Sequence, residues 1–307
     1  MGDFVRLGAH GEPPASLESW LQEGVALADA NHGQGWHAAY ALGSLAAYIF
    51  RPPRSVQNAG ALVGVLKPAV DSVGRRFPIT IFDAWSDRSV VRSPHVLPIL
   101  AGNFLDQVTD ALFASEFVGA RGDMQALLAN IAPLTLDSVQ SDVAAYDEWA
   151  RRATLEQAWG VVFGGDTSLA PVRAIHTIVE ALAPFRGQQS LSTKVGIKLP
   201  LGRGGSAAAA FWLDIVRRVA QSEHEVRTSF WSFDGHTGFL LVQLGETPAH
   251  SLSDLWLPDP DGEYICDLTC PSSIDASRFA RELPSPIAKM LEDPYVAVAD
   301  FLDELRR

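Results

Sequence analysis

The sequence GALVGVLKPAVDSVGRRFPITIF, residues 60–82, contains two short apolar runs separated by a polar segment. The runs cover residues 60–66 and 77–82, and both are rich in the β-branched side chains that are typical of strands. The polar segment between them, residues 71–76, includes Gly74, which can adopt the backbone conformation of a turn. The stretch therefore predicts two neighbouring antiparallel strands joined by a hairpin.

Helices and one more strand are expected on either side of this hairpin. An apolar stripe at helical spacing follows Ser16 and ends near Gly33, which predicts a helix. Residues 46–50 form an apolar run closed by two prolines, which predicts a strand. Downstream, Pro94 begins a long amphipathic pattern, and a further helical stretch lies around residues 125–130. The first 135 residues thus predict an α-β-β-β-α unit.

The second half of the chain shows the same mixture of patterns. Helices are expected over residues 171–185 and 206–221, strands over 193–199, 226–233 and 238–244, a short helix over 251–256, a turn at 259–262 and a helical tail over 284–307 broken by Pro286 and Pro294. The fold class is predicted to be α/β in the broad sense (α+β), with layered, mostly antiparallel sheets and flanking helices.

A polar helical connector is expected over residues 136–160, because this stretch lacks the Pro and Gly runs of a flexible linker. A boundary near Gly164 divides the chain into two predicted domains, residues 1–163 and 164–307, which can pack as one unit.

Composition excludes several classes of function. The chain has 307 residues and a net charge of −12, which repels phosphate backbones and anionic headgroups, so nucleic acid is not expected as a partner. Its two cysteines, Cys266 and Cys270, are too few for a disulfide framework and fit a reducing compartment. We see no signal-peptide pattern and no apolar run near the ~20 residues that a membrane span needs. A cytoplasmic protein without membrane insertion is expected.

Motifs that would carry chemistry are weak. Residues 202–205, Gly-Arg-Gly-Gly, lie between a predicted strand and a predicted helix, where backbone amides could hold a phosphate. The Lys-Ser/Thr pair of a Walker loop does not follow, and Ala207 stands where a dinucleotide fingerprint has its last glycine. A plain strand-to-helix turn is therefore favoured.

Histidine and cysteine spacings do not match a metal site, and no Gly-x-Ser-x-Gly nucleophile motif occurs. No catalytic, cofactor-binding or metal-ligating residue is predicted.

Three segments carry a resemblance to a known family. Residues 67–80 resemble the signature Pro-Ser-Val-Asp-x-Val-Gly-Arg-x-Phe-Pro-Leu-Thr of the TagF family, also called ImpM, which accompanies bacterial type VI secretion systems. Residues 2–5, Gly-Asp-Phe-Val, are identical to a second family motif, and residues 20–24 are similar to the helix that follows it. Order and spacing agree over residues 2–82. Later in the chain, residues 229–232 are similar to a Ser-x-Phe-Trp strand of the family.

The resemblance implies a non-enzymatic, cytoplasmic negative regulator that restrains type VI secretion after translation by binding a forkhead-associated-domain scaffold protein. It also implies a longin- or profilin-like first half. Partner-binding residues are expected within the shared motifs, namely Asp3, Phe4, Asp71, Arg75, Arg76 and Phe77. The alternative is an enzyme or phosphate-binding protein that uses the Gly202–Gly205 loop.

A structural interpretation of the same motif stands beside the functional one. In it, Gly74 supplies a turn, Asp71 accepts local backbone hydrogen bonds and the arginines are solvated, with Asp3 as a possible ion-pair partner inside the fold. Phe77 opens an apolar strand and is expected to be buried, so that its replacement by Ala would cost about 3–5 kcal/mol.

Overall fold

The structure is a computed structural model. It describes residues 10–53, 60–71, 73–85, 92–114, 121–135, 139–164, 170–183, 186, 196–222, 226–233, 238–257, 265–270 and 276–307.

One mixed sheet forms the centre of the described part of the chain. Its strands are β1 (Ala46–Phe50), β2 (Ala61–Lys67), β3 (Ile79–Trp85), β4 (Gly196–Pro200), β5 (Ser229–Phe233), β6 (Gly238–Gln243) and β7 (Ile265–Asp267). They are ordered β3-β2-β1-β5-β6-β4-β7. All neighbours are antiparallel except β4 and β7, which run parallel. The predicted β2–β3 hairpin and the predicted β5 and β6 strands are confirmed.

Helices cover both faces of this sheet. They are α1 (Glu12–Ala41), α2 (Leu97–Leu100), α3 (Gly102–Ala114), α4 (Arg121–Ala129), α5 (Val139–Arg152), α6 (Leu155–Phe163), α7 (Ala170–Leu182), α8 (Gly205–Val219), α9 (Ala276–Glu282), α10 (Ser285–Glu292) and α11 (Val298–Leu305). Two 3₁₀ helices lie at Pro94–Val96 and Ala249–Leu255. The layered α/β class predicted from the sequence is confirmed.

Alternate side chains of the strands pack into two separate hydrophobic cores. On β1, Tyr48 and Phe50 join α1 and the 3₁₀ helix at 249–255 in a smaller core. Ala47 and Ile49 point the other way and join the larger core, to which α3, α5, α6, α7, α8 and α11 contribute. Because successive side chains of a strand alternate between the two faces, the two cores occupy opposite faces of the sheet.

Strands β1 and β5 are neighbours in the sheet, although β1 comes from the first half of the chain and β5 from the second. Ala47 pairs with Trp231, and Ile49 pairs with Ser229. The predicted domain boundary near Gly164 therefore lies in a chain whose two halves share one sheet. Assignment of two domains, 1–163 and 164–307, stays a prediction.

Helix α1 is longer than the sequence predicts. We expected it to end near Gly33, but it continues to Ala41 with a kink at Gly33, whose φ is 50°. The residues beyond the kink are held by packing, since Trp36 and Tyr40 are fully buried. Tertiary burial thus overrides a local stop signal.

One prediction about the second half needs correction, and two others lie at least partly outside the described residues. Pro286 does not break the C-terminal tail: it lies in the first turn of α10, where its missing N–H costs nothing. Pro294 does fall in the gap between α10 and α11. The turn expected at residues 259–262 lies outside the described residues, as does the first part of the strand expected at 193–199.

Candidate protein-binding surface

The family-like motif forms a compact turn between β2 and β3, and we call its described residues, 70, 71 and 73–76, the signature hairpin. Val70 and Arg76 form an antiparallel bridge at its base. Inside it, the Asp71 amide donates to the Arg75 carbonyl (2.9 Å) and the Gly74 amide donates to the Asp71 carbonyl (3.0 Å). Gly74 has a φ of 86°, a conformation that L side chains rarely adopt. The motif therefore encodes its own turn.

The Asp71 carboxylate holds this turn together. Its Oδ1 accepts hydrogen bonds from the backbone amides of Val73 (3.0 Å) and Arg75 (2.8 Å), and its Oδ2 accepts from Arg75 Nε (2.7 Å). Desolvation acts in the opposite direction, but these hydrogen bonds dominate and lower the pKa of Asp71 below its usual value. Asp71 and Arg75, both expected to bind a partner, are thus brought together as a structural clamp.

Tyr40 anchors the base of the hairpin to α1. Its hydroxyl donates to the Ala69 carbonyl (3.1 Å) and accepts from the Ala69 amide (3.0 Å). Burial raises the pKa of Tyr40, which keeps the hydroxyl protonated and able to donate. The Tyr40 ring packs between Trp36 and Trp256, with centroids 5.0 and 5.3 Å away. The hairpin is therefore fixed to a rigid aromatic cluster.

Phe77 continues from the hairpin into the smaller core. Its amide donates to the Ala69 carbonyl (3.1 Å), and its ring packs against that core while staying half-buried. The expectation that Phe77 is buried is therefore met only in part. It follows that replacing Phe77 costs less stability than removing a core phenylalanine would.

The outer side of the hairpin presents apolar side chains around a cation. Val73 is 71% exposed and Val70 is 57% exposed. Arg76 is half-exposed, and among the described residues its guanidinium has no acidic partner. Leu42, 88% exposed, precedes Gly43, where an added Cβ would lie 2.8 Å from Cγ of Pro68, the residue after β2. Together Leu42, Val70, Val73 and Arg76 form what we call the hairpin patch.

Comparisons with known proteins bear on this half of the chain. Residues 1–134 match the family model of the TagF N-terminal domain, which is described as type VI secretion system-associated. These residues are a TagF N-terminal domain. The resemblance stated from the sequence is confirmed over this range, which links the chain to type VI secretion. Residues 135–307 lie outside the match.

One solved structure adds a partial similarity. It is the crystal structure of PA0076 from Pseudomonas aeruginosa PAO1, with 26% sequence identity and a TM-score of 0.36. The match covers 43% of this chain and 58% of that one, so the chain matches less than two thirds of PA0076. No curated protein sequence matches the chain.

Within the TagF N-terminal domain, only some of the predicted site residues lie together in the structure. The hairpin brings Asp71, Arg75 and Arg76 together, with Phe77 immediately behind them. Asp3 and Phe4 lie outside the described residues. The exposure of Leu42, Val70 and Val73 was not predicted from the sequence.

The Gly202–Gly205 loop lies beyond the TagF N-terminal domain and connects β4 to α8. Its Arg203 amide donates to the Val161 carbonyl (3.1 Å), and its Gly204 amide donates to the Leu201 carbonyl (2.9 Å). Gly202 has a φ of 52°, and an added Cβ would lie 2.3 Å from the Val161 oxygen. Two loop amides are therefore already used, and the nearby carbonyl oxygens disfavour an anion.

A buried charge network centres on Asp214 of α8 and reaches His95 inside the TagF N-terminal domain. Asp214 is fully buried, and its Oδ1 accepts from Arg217 Nη2 (2.5 Å) and Arg218 Nε (3.0 Å). Its Oδ2 accepts from the Tyr146 hydroxyl (3.1 Å) and lies 3.9 Å from His95 Nε2. Burial alone would raise the pKa of Asp214, but the surrounding cations lower it.

A second buried ion pair connects β4 to β7. Lys198 is buried, its Nζ donates to the Asp254 carbonyl (2.7 Å), and it lies 3.8 Å from Asp267 Oδ2. The ammonium also lies over the Phe239 ring, 4.6 Å from its centroid. Burial lowers the pKa of Lys198 despite the nearby carboxylate. This lysine fixes the 3₁₀ helix at 249–255 to the sheet.

In the part of the chain that the structure describes, no group of three or more His, Cys, Asp and Glu side chains is arranged to hold a metal ion. Cys266 and Cys270 are free thiols. Among the described helices, none is long and apolar enough to span a bilayer.

Proposed function

We propose that the protein is a non-enzymatic, cytoplasmic negative regulator that restrains type VI secretion after translation by binding a forkhead-associated-domain scaffold protein. The TagF N-terminal domain supports the link to secretion. The observation that carries the binding mode is the hairpin patch, in which a rigid turn displays exposed valines beside an arginine.

Pre-organisation supports the use of this surface as a binding site. The Asp71 carboxylate, the Gly74 turn and the Tyr40 anchor all fix the hairpin before any partner arrives. A surface that is already ordered loses less conformational entropy on binding, so more of its contact energy appears as affinity. The same bonds assign Arg75 to support and leave Arg76 for contact.

The charge of Arg76 indicates the kind of group that it would contact on the partner. Arg76 is a cation on a protein of net charge −12, and arginine is enriched among residues that dominate binding energy. Forkhead-associated domains recognise phosphorylated or acidic motifs through clusters of arginine, so Arg76 does not fit their phosphate-reading groove and would contact the scaffold outside it. We infer that Arg76 pairs with an acidic or phosphorylated group and that Val70 and Val73 pack beside it.

Restraint of secretion then follows from occupancy. A scaffold held by the hairpin patch cannot use the same surface for assembly, so the bound fraction of the scaffold sets the degree of repression. No reaction is required in this scheme.

Val73→Asp and Arg76→Glu test the proposal. Calorimetry with the purified scaffold should show at least tenfold weaker binding for each variant, which corresponds to about 1.4 kcal/mol. Thermal melting should stay close to that of the parent, because both side chains are solvent-accessible. Arg307→Glu is the matched control, since it makes the same charge change at the far end of the chain and should bind like the parent.

Secretion provides the second readout. In cells that lack the natural protein, the parent should suppress effector release and the two variants should not. If both variants bind the scaffold as tightly as the parent, the hairpin patch is not the interface. If a variant unfolds, Val73→Ser replaces it, and unchanged binding by that folded variant would contradict the proposal.

A further inference from the structure

Strand β3 forms one edge of the described sheet, because β2 is its neighbour on one side and no described strand lies on the other. The opposite edge is β7, which has 3 residues against the 7 of β3. A strand edge with unpaired backbone groups is a site at which another strand can add. The longer of the two edges therefore belongs to β3.

The backbone groups of Thr80 and Phe82 point away from β2. A Cβ added at Gly64 of β2 would lie 2.3 Å from the Ile81 oxygen, so the Ile81 carbonyl points toward β2. Successive residues of a strand direct their amide and carbonyl groups to opposite edges. Among the described residues, no backbone hydrogen bond reaches Thr80 or Phe82 from the outer side. Each of these two residues thus offers an N–H and a C=O to a further strand.

The outer edge of β3 is closed on either side of this pair. The Ala84 amide, which also points outward, donates to Asp83 Oδ1 (2.8 Å), and Asp83 Oδ2 accepts from the Leu134 amide (2.9 Å). At the other end, Pro78 has no N–H to donate. The donors that remain open are therefore those of Thr80 and Phe82.

Apolar side chains flank the open backbone groups on both faces of the sheet. Phe82 packs against the smaller core and Ile81 against the larger one, yet both are only half-buried. Ile79 is 43% exposed. A strand added at this edge would remove more of this apolar surface from water, which is favourable.

The positions of the open groups favour a second copy of this chain as the added strand. In an antiparallel pair of two β3 strands centred on Ile81, Thr80 of each copy lies opposite Phe82 of the other. All the outward amides and carbonyls of these residues are then hydrogen-bonded. Ala84 lies opposite Pro78, so the pairing ends where one amide is already used and the other is missing.

Other ways of extending the sheet with a second copy fit less well. Centring the pair on Phe82 would set the Thr80 carbonyl opposite the Ala84 amide, which Asp83 already uses. Pairing β3 with β7 of another copy would cover at most the 3 residues of β7 and would continue as an open chain of molecules. A pair of β3 strands closes on itself as a two-fold dimer.

Side chains across the two-fold axis are compatible. Ile81 faces its own copy, and Phe82 faces Thr80, which is a favourable pair of an aromatic and a β-branched residue. Asp83, the one charged residue of β3, faces Ile79. The two copies of Asp83 are then four positions apart along the strands, or about 14 Å, which exceeds the Debye length at physiological ionic strength.

We propose that two copies of this chain pair their β3 edges antiparallel about an axis at Ile81, which joins their two sheets into one. Each β3 strand is already held extended by β2, so it loses less conformational entropy on pairing than a disordered segment of another protein would. The proposed dimer goes beyond the proposed function, since its partner is a second copy and not the scaffold.

Two charge variants at one exposed position test the pairing. Sedimentation velocity of the parent from low to high micromolar concentration should show a reversible monomer–dimer equilibrium. Ile79→Asp sets a carboxylate opposite Asp83 of the other copy, twice in each dimer, and like charges directly opposite repel. Ile79→Lys removes the same side chain but sets a cation there. The dimer dissociation constant should therefore be at least tenfold higher for Ile79→Asp than for Ile79→Lys.

A disulfide reports the register directly. Residues in a non-hydrogen-bonded antiparallel pair have Cα atoms about 4.5 Å apart, which a disulfide can span. Cys266 and Cys270 are first replaced by Ser, because both are free thiols. In that background, Ile81→Cys should form a covalent dimer on oxidation with copper phenanthroline. Ile79→Cys is the control and should not, because its two thiols would be about 14 Å apart.

Several results would overturn the inference. They are a parent that stays monomeric at the highest concentration, dissociation constants of Ile79→Asp and Ile79→Lys that agree within twofold, or equal cross-linking of the two cysteine variants. If Ile81→Cys does not fold, the charge variants at Ile79 decide alone. A monomeric parent whose scaffold binding is lost in Ile79→Asp would assign the edge to the scaffold instead. Val73→Asp, which alters the hairpin patch, should dimerise like the parent, so failure of this inference is distinguishable from failure of the proposed function.

Discussion

Lowering the pH should destabilise this protein through one buried histidine, His95. Only 5% of His95 is exposed, neither ring nitrogen has a hydrogen-bond partner among the described residues, and the Tyr146 ring packs 5.0 Å away. Burial lowers the pKa of His95 from 6.5 to about 4, and the carboxylate of Asp214 offsets this only in part. The folded protein therefore keeps His95 neutral at pH values where the unfolded chain protonates it.

The sign and size of the effect follow from proton linkage. Between the two pKa values the unfolded chain binds more protons, so stability is full above pH 6.5 and falls as the pH drops toward 4. At about 1.4 kcal/mol per unit of pKa, the complete loss is about 3 kcal/mol. About 2 kcal/mol of it falls between pH 7 and pH 5, before most carboxylates titrate.

Urea unfolding of the parent and of His95→Leu at pH 7, 6 and 5 measures this loss. The free energy of unfolding of the parent should fall by about 2 kcal/mol more than that of the variant over this range. His32→Gln removes an exposed histidine and should follow the parent. If the parent and His95→Leu lose the same stability within about 0.5 kcal/mol, the histidine is not held neutral and the reasoning is refuted.

Two further substitutions test packing and charge. Phe77→Ala should cost about 2 kcal/mol of unfolding free energy, less than the 3–5 kcal/mol of a fully buried phenylalanine, because its ring is half-buried; a loss above about 4 kcal/mol in urea titrations would show that the ring is part of the core. Lys198→Met should cost about 3–5 kcal/mol because it leaves Asp267 buried without its cation. A melting temperature equal to that of the parent would show that the ion pair contributes nothing.

Local chemistry explains the parts of the fold that could be predicted. The apolar runs of β1 and β2 are buried along nearly their whole length, so they read as strands without any knowledge of their neighbours. The signature hairpin was predictable because its determinants, the Asp71 carboxylate and the Gly74 backbone, act within five residues.

Long-range packing explains the parts that could not. Strand β7 has three residues and exists through its parallel pairing with β4, about 70 positions earlier, so its own sequence carries almost no signal. The buried charge network around Asp214 could not be predicted for the same reason. Asp214, Arg217 and Arg218 have the spacing of an ordinary surface ion pair, and only the approach of His95 and Tyr146 reveals that they are buried.

The separate roles of the candidate partner-binding residues could not be predicted from the sequence. Sequence reasoning treated Arg75 and Arg76 alike, since an adjacent basic pair gives no reason to separate them. The geometry of the hairpin distinguishes the two arginines. The Arg75 guanidinium donates a hydrogen bond to the Asp71 carboxylate within the turn.

The pairing of β1 with β5 constrains how this chain can be divided. The family match ends at residue 134, whereas β1, inside the match, takes one of its two neighbours from residues 229–233. A fragment ending at residue 134 would leave the backbone groups of β1 unpaired along that side. Tyr48 would also lose its ring contact with Phe230. Open strand edges recruit other strands. Any rearrangement that keeps the first 134 residues and exchanges the remainder must therefore bring a replacement strand, or the fragment will find one in another molecule.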